Sequence, residues 1–166
     1  MLEPSGLVGA EVRERGLEAG DEHIAKYRQA GFTEAYRSRH YAGQVAQVSL
    51  PGGVLPAVGW DPVEIGLYDA QAFPADRSGF VVPWLTAAGH RSFVRVVDGR
   101  LRGYGVVREA PSGLRVGPLV ADSANDASAL FDALTADVGN AEVSLKAPLV
   151  GGHAAALARA KGLRSE

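Results

Sequence analysis

Residues 103–127 read Gly103-Tyr-Gly-Val-Val-Arg-Glu-Ala-Pro-Ser-Gly-Leu-Arg-Val-Gly-Pro-Leu-Val-Ala-Asp-Ser-Ala-Asn-Asp-Ala127. The order is strand, tight turn, strand, polar loop, helix start. Tyr104, Val106 and the stem of Arg108 alternate with Gly105 and Val107, a period of two. Pro111-Ser112-Gly113 is a turn, because proline presets one dihedral and glycine permits the next. Leu114, Val116, Pro118 and Val120 form a second run. Pro118 lacks an N–H for a sheet ladder, so the sheet is expected to bulge or splay there. Ser123, Asn125 and Asp126 are N-cap candidates. A helix follows over residues 127–138, with Leu130, Phe131, Leu134 and Val138 as its apolar face. A sheet that splays beside a helix N-terminus offers free amides to an anion.

Upstream, residues 90–97 alternate as a strand, Asp98-Gly99 is a hairpin turn signal, and residues 101–109 are its partner. Residues 63–73 are expected to be helical, with Val63, Gly66 or Leu67, and Ala70 at helical spacing. A break at 74–78 precedes a short helix over 79–88, in which Pro83 belongs near the start. Downstream, residues 142–146 alternate as a strand with Val143 and Leu145 on one side. Gly151 or Gly152 opens an alanine-rich helix that ends at Gly162. This order predicts an α+β or mixed α/β fold, a central mixed sheet with helices on both faces.

The first third is less regular. Residues 7–12 are a candidate strand. Residues 21–30 form a helix capped by Asp21, with Ile24 and Tyr27 on its apolar side and Gly31 ending it. A strand is expected over 32–41. Residues 44–62, with Pro51, Gly52-Gly53, Pro56 and Pro62, read as a linker. Ala25 to Phe32 matches Ala156 to Leu163, at the 131-residue offset that separates Gly31 from Gly162. That separation is a domain length, so the organisation expected is a tail (1–43), a linker (44–62) and a main domain (63–166).

Composition narrows the function classes. A net charge of −2 gives no electrostatic case for nucleic acid. The chain has no cysteine, which removes disulfides and thiolate metal sites and agrees with a cytoplasmic setting. No run is long and apolar enough to span a membrane, and the first five residues lack the pattern of a secretory leader. His23, His40, His90 and His153 share no metal-ligand spacing, so no metal is expected. Glu109, at a strand end, is a candidate base or a solvated carboxylate.

Ala25, Tyr27, Gly31 and Phe32 resemble the late helix signature of the GNAT superfamily, the acyl-CoA-dependent N-acyltransferases. Tyr68-Asp-Ala-Gln-Ala-Phe73-Pro74-Ala-Asp-Arg77, the hairpin ending Gly103-Tyr-Gly-Val-Val-Arg108, and Gly117-Pro-Leu-Val-Ala-Asp122 resemble the second half of bacterial tandem-GNAT proteins. The resemblance implies acetyl transfer from acetyl-CoA to an amine. It places coenzyme binding at Leu119, Val120, Ala121, Ser123, Asn125 and Ala127, with amides near Leu119 and Val120 polarising the carbonyl. It places the acceptor-side wall at Phe73, Arg77 and Trp84. It assigns no catalytic side chain.

Three departures are visible. The loop at 121–127 lacks the family's glycines and carries Asp122 and Asp126, which repel a pyrophosphate unless a cation offsets them. Weak or no acetyl-CoA binding is therefore expected. Ala158 stands where the family often has a tyrosine acid. The family's strands beyond Gly162 are expected to be missing. The alternative is a GNAT-fold module that binds a ligand or regulates without catalysis, or a structural homodimer that exchanges terminal strands. Residues 32–41 are accordingly expected to join the sheet beside residues 142–146, within one chain or across a dimer, because an open edge at Val143 and Leu145 would invite aggregation.

Overall fold

The computed structural model describes residues 20–34, 37–73, 77–148 and 153–165. Two compact units are present, residues 1–34 and 35–166. In the first, a 3-10 turn (Asp21–His23) leads into α1 (Ile24–Gln29). Ile24 and Tyr27, on the expected apolar side, are not buried, and α1 buries no residue; the Tyr27 ring stands edge-on to Phe32 at 5.9 Å. The candidate strand at 7–12 lies outside the described residues.

The second unit begins with β1 (Ser38–Gln44) rather than a strand over 32–41. Phe32 is exposed, and the buried pair Tyr41 and Ala42 marks where the sheet accepts the chain. Within the stretch 44–62 lie β2 (Val54–Pro56) and a 3-10 turn (Ala57–Gly59). Then come α2 (Pro62–Ala72), α3 (Ser78–Leu85), β3 (His90–Val97), β4 (Arg100–Ala110), β5 (Gly113–Ala121), α4 (Ala124–Thr135), β6 (Glu142–Pro148), α5 (Ala154–Ala160) and β7 (Arg164–Ser165).

Local chemistry explains several boundaries. Asp61 caps α2 by accepting from Val63 N–H at 2.9 Å, and Pro62 fills the first helical position, where no N–H is needed. Asp98 (φ 50°) and Gly99 (φ 71°) make the β3–β4 turn, whose two positive φ values suit the twist of a hairpin. Pro83 lies in the second half of α3, not at its start. The helix ends two residues later, so few ladder bonds remain for it to disrupt. The start of α5 adjoins residues 149–152, which are not described.

One seven-stranded sheet has the order β2-β3-β4-β5-β6-β1-β7. Every pairing is antiparallel except β5 with β6, which α4 connects as a crossover. β6 is therefore no edge: β1 pairs along it from Ser38↔Pro148 to Gln44↔Glu142, within one chain. Between them β1 and β5 cover both sides of β6, and Val143, Leu145 and Ala147 are buried with Ser144.

Two apolar layers hold the helices to the sheet. On one face α4 and α5 pack over Tyr41, Val107, Val116, Val143 and Leu145. On the other α2 and α3 pack over Val94, Tyr104 and Val106. The buried face of α2 differs from the expected one. Of the expected positions Gly66 is buried, but Val63 and Leu67 are 61% and 65% exposed, and Ile65 and Asp69 face inward. α4 starts three residues earlier than expected because Ser123 is the cap that wins. Leu130, Phe131 and Leu134 are buried as expected, and Val138 packs beyond the helix end. Among the described residues no helix is long and apolar enough to cross a membrane.

Candidate functional site

The site forms where β5 leaves β6. Their pairing covers only Leu114↔Val143 to Val116↔Leu145. On the β4 side the register shifts at the same place, between Gly105↔Leu119 and Val107↔Val116. Gly117 and Pro118 together oppose Val106, a bulge at the expected proline. Asp122 N–H donates to Arg102 O at 2.9 Å. Antiparallel bonding alternates, so Val120 N–H also points to β4, while Leu119 and Ala121 N–H point into the gap beside β6. The side chains of Leu119 and Ala121 pack on the α4 side, and Val120 on the α2–α3 side.

The loop after β5 handles its two acids locally. Ser123 Oγ accepts from Asp126 N–H at 3.1 Å and donates to Asp126 Oδ2 at 2.6 Å. Arg95 Nε donates to Asp126 Oδ1 at 3.0 Å, and Arg95 Nη1 to Gly52 O at 2.6 Å. Burial alone would raise the Asp126 pKa; the Ser123 hydrogen bond and the Arg95 charge outweigh it and hold the carboxyl below its ordinary value. Asp122 turns the other way. It accepts from Tyr68 Oη at 2.6 Å and from Arg102 Nη1 at 3.1 Å. Burial and the Asp122 hydrogen bond push the Tyr68 hydroxyl pKa up, so it stays a donor. Each acid is thus offset by an arginine. Asn125 is exposed in the first turn of α4, where amides lack intrahelical acceptors. Ala127 N–H is committed to Ser123 O at 3.0 Å.

Trp84 of α3 stands over the bulge on the α2–α3 face. Its indole N–H donates to Gly117 O at 3.3 Å, joining α3 to the bulge. Phe80 lies 4.9 Å from it, and His90 meets it edge-on at 4.5 Å. Phe73 and Arg77 contact each other and Asp69. Arg77, expected on the acceptor-side wall, partners a buried acid. It grips Asp69 through Nε at 2.6 Å and Nη2 at 2.8 Å, and its guanidinium covers the Phe73 ring at 3.3 Å. Tyr104 donates to the same carboxylate at 2.5 Å. Asp69 is 1% exposed. Burial would lower the Arg77 pKa, but the bond to Asp69 raises it; burial and Asp69 also raise that of Tyr104. Sequence reasoning missed Asp69 and Tyr104. The available signal was that Asp69 stands four residues after Ile65, on one helix face, and an acid among apolar neighbours requires a cation.

The family model of the acetyltransferase (GNAT) domain matches residues 65–166, more than half of the chain. The chain belongs to the GNAT acetyltransferase domain family. Among curated proteins it is similar to YitH of Bacillus subtilis, an uncharacterised N-acetyltransferase by name, with 29% identity over 121 residues, 71% of this chain and 43% of that protein. Among solved structures it is similar to a Pyrococcus horikoshii protein described as an acetyltransferase, with a TM-score of 0.67 and 24% identity over 89% of this chain and 48% of the other. A Sphaerobacter thermophilus N-acetyltransferase gives a TM-score of 0.58 at 15% identity, covering 89% of this chain and 54% of that one. At these identities the solved structures speak for the GNAT fold alone. The chain spans about half the length of these relatives.

Proposed function

We propose that this GNAT domain transfers an acetyl group from acetyl-CoA to the nitrogen of a small amine. The observation that carries the reading is the gap at Gly117 and Pro118, where β5 stops pairing with β6 and turns the Leu119 and Ala121 amides outward. The residues fit the coenzyme: two unpaired strand amides, a helix start, and two acids already neutralised by Arg95 and Arg102.

Acetyl-CoA, when bound, supplies the acyl group as a reactive thioester. The Leu119 and Ala121 N–H groups orient and polarise the acyl carbonyl, where negative charge develops. The first-turn amides of Ala124 and Asn125 face the diphosphate. Trp84 walls the acceptor side and holds the bulge carbonyl away from those amides. The amine nitrogen forms the C–N bond, the C–S bond breaks with its electron pair leaving on sulfur, and the amine's proton is lost to solvent as the thiolate is protonated. Ala158 is fully buried and gives no acid for that last step.

The tandem reading rests on two matching helix ends. Phe32 N–H donates to Tyr27 O at 3.0 Å, and Leu163 N–H to Ala158 O at 2.9 Å. Gly31 N–H to Arg28 O and Gly162 N–H to Arg159 O repeat the same relation, with φ of 90° and 81° at the two glycines. On this reading the segment from α1 to β1 is the end of a preceding GNAT-like copy, and β1 stands where the later copy would place its own last strand.

Titration calorimetry with acetyl-CoA, followed by thiol release with a panel of amines, tests the proposal. Binding with release that depends on the amine supports it. Binding without release selects the non-catalytic module, and no binding removes both.

A further inference from the structure

We infer that the acceptor amine carries a carboxylate, held by Arg108 and Arg115 on the sheet face beside Trp84; this rests on the acetyl-transfer reading above. The sheet register sets His90, Arg108, Arg115 and Ser144 in one transverse row, through the pairs His90↔Arg108, Arg108↔Arg115 and Arg115↔Ser144. Val107 and Val116, the neighbours of the two arginines, are buried under α4. Strand alternation therefore turns Arg108 and Arg115 to the opposite face, where the Arg108 guanidinium lies 5.7 Å from the Trp84 ring.

Two arginines directly opposite across a strand pair repel each other. Elsewhere in this domain Arg77, Arg95 and Arg102 each have a carboxylate partner. Arg108 donates only to the carbonyl of Glu109, at 3.2 Å, and neither Arg108 nor Arg115 has an ion pair among the described residues. Glu109 alternates to the α4 side. Glu142, two residues before Ser144, is exposed and joins neither arginine. Ser144 gives its hydroxyl to Leu114 O at 3.2 Å and supplies no charge.

Opposed side chains start about 5 Å apart, close enough for two guanidinium groups to take the two oxygens of one carboxylate. Arg115 precedes the bulge residue Gly117 by two positions, about 7 Å along the strand. An anion held by the arginines thus lies a few bonds from an amine placed at the bulge, against the Trp84 and His90 rings. That spacing matches the chemistry of an amino acid and disfavours polyamines, which the two cations repel.

The test compares acceptors that differ only in the carboxylate: β-alanine against propylamine, in the thiol-release assay. The expected result is a kcat/KM roughly tenfold or more higher for β-alanine, falling with added salt. Arg108→Gln and Arg115→Gln should each erase that preference through KM, and Arg115→Lys should restore part of it. Equal use of propylamine, or a preference that survives both glutamine variants in folded protein, overturns the inference. If no acceptor is turned over, the acetyl-transfer reading fails and a binding arm decides this one. Glutarate is titrated against Trp84 emission in a Trp60→Phe background. A saturable response, lost in Arg115→Gln, upholds the carboxylate site; no response, or the same response to glutaramide, removes it.

Discussion

Asp126 shows how one residue reconciles two demands. Its carboxylate stabilises the start of α4 by sitting near the positive end of the helix dipole, and Arg95 offsets the charge that would repel an anionic ligand. Its folded pKa is below the unfolded value of 3.8. The stability it contributes is therefore present above that value and is lost as pH falls through the folded pKa. Asp126→Asn should cost about 1–3 kcal/mol at pH 7, and the gap from wild type should close below about pH 4. Urea unfolding at pH 7 and pH 3 measures both. A gap of the same size at pH 3 would mean that packing, not charge, explains the loss. Phe131 tests the same helix from its apolar side. The ring is fully buried, so Phe131→Ala should cost about 3–5 kcal/mol. A loss well under about 1 kcal/mol in a denaturant titration would place the ring at the surface.

At the scale of elements, the seat of α4 depends on two glycines of β4. A Cβ at Gly103 would lie 2.7 Å from Val120 O and 2.9 Å from Leu130 Cδ1; one at Gly105 would lie 2.7 Å from Leu134 Cδ1. The helix rests directly on bare backbone there. Gly103→Ala should push α4 and β5 apart and cost about 1–3 kcal/mol. Gly79 in α3 is the control, since a Cβ there meets nothing within 4 Å. Gly79→Ala should raise stability by about 0.4–1 kcal/mol. Thermal unfolding of the two variants should therefore move in opposite directions. If both melt lower, the substitution at position 79 is limited by something other than space. The expected period of two was read from Tyr104, Val106 and Arg108. The size of the gap above the intervening glycines was not readable, because it depends on how near α4 comes.

For the whole molecule, the sheet depends on β1. Without that strand, β6 would present unpaired backbone along Glu142–Pro148, next to the buried Val143, Leu145 and Ala147. Exposed edges of this kind associate. A fragment beginning at Val45 should aggregate or lose cooperative unfolding, whereas one beginning at Ala35 keeps the compact unit and should unfold cooperatively. Circular dichroism melts and size-exclusion profiles of the two fragments test this. A soluble, cooperative fragment from Val45 would show that β6 tolerates an open edge.

The order of elements from α2 to α5, the hairpin at Asp98 and Gly99, the bulge at Pro118 and the buried side of α4 were legible in the chain itself. Each follows from local rules: dihedral preference, a missing donor, or side-chain period. The family was legible too, through short runs such as Gly117 to Asp122. What only the tertiary structure decided are matters of long-range partnership. Val63 and Leu67 obey helical spacing as well as Ile65 does, and only the position of the sheet selects the Ile65 face. Asp69 of α2 meets Arg77, just ahead of α3, and Tyr104 of β4, and Asp126 finds Arg95 across a gap of 31 residues. That the segment before the stretch 44–62 would pair beside residues 142–146 was legible; its register, with Ser38 opposite Pro148 and Gln44 opposite Glu142, was not. A sequence states which groups need partners; which distant group arrives first is set by the packing of sheet and helices together.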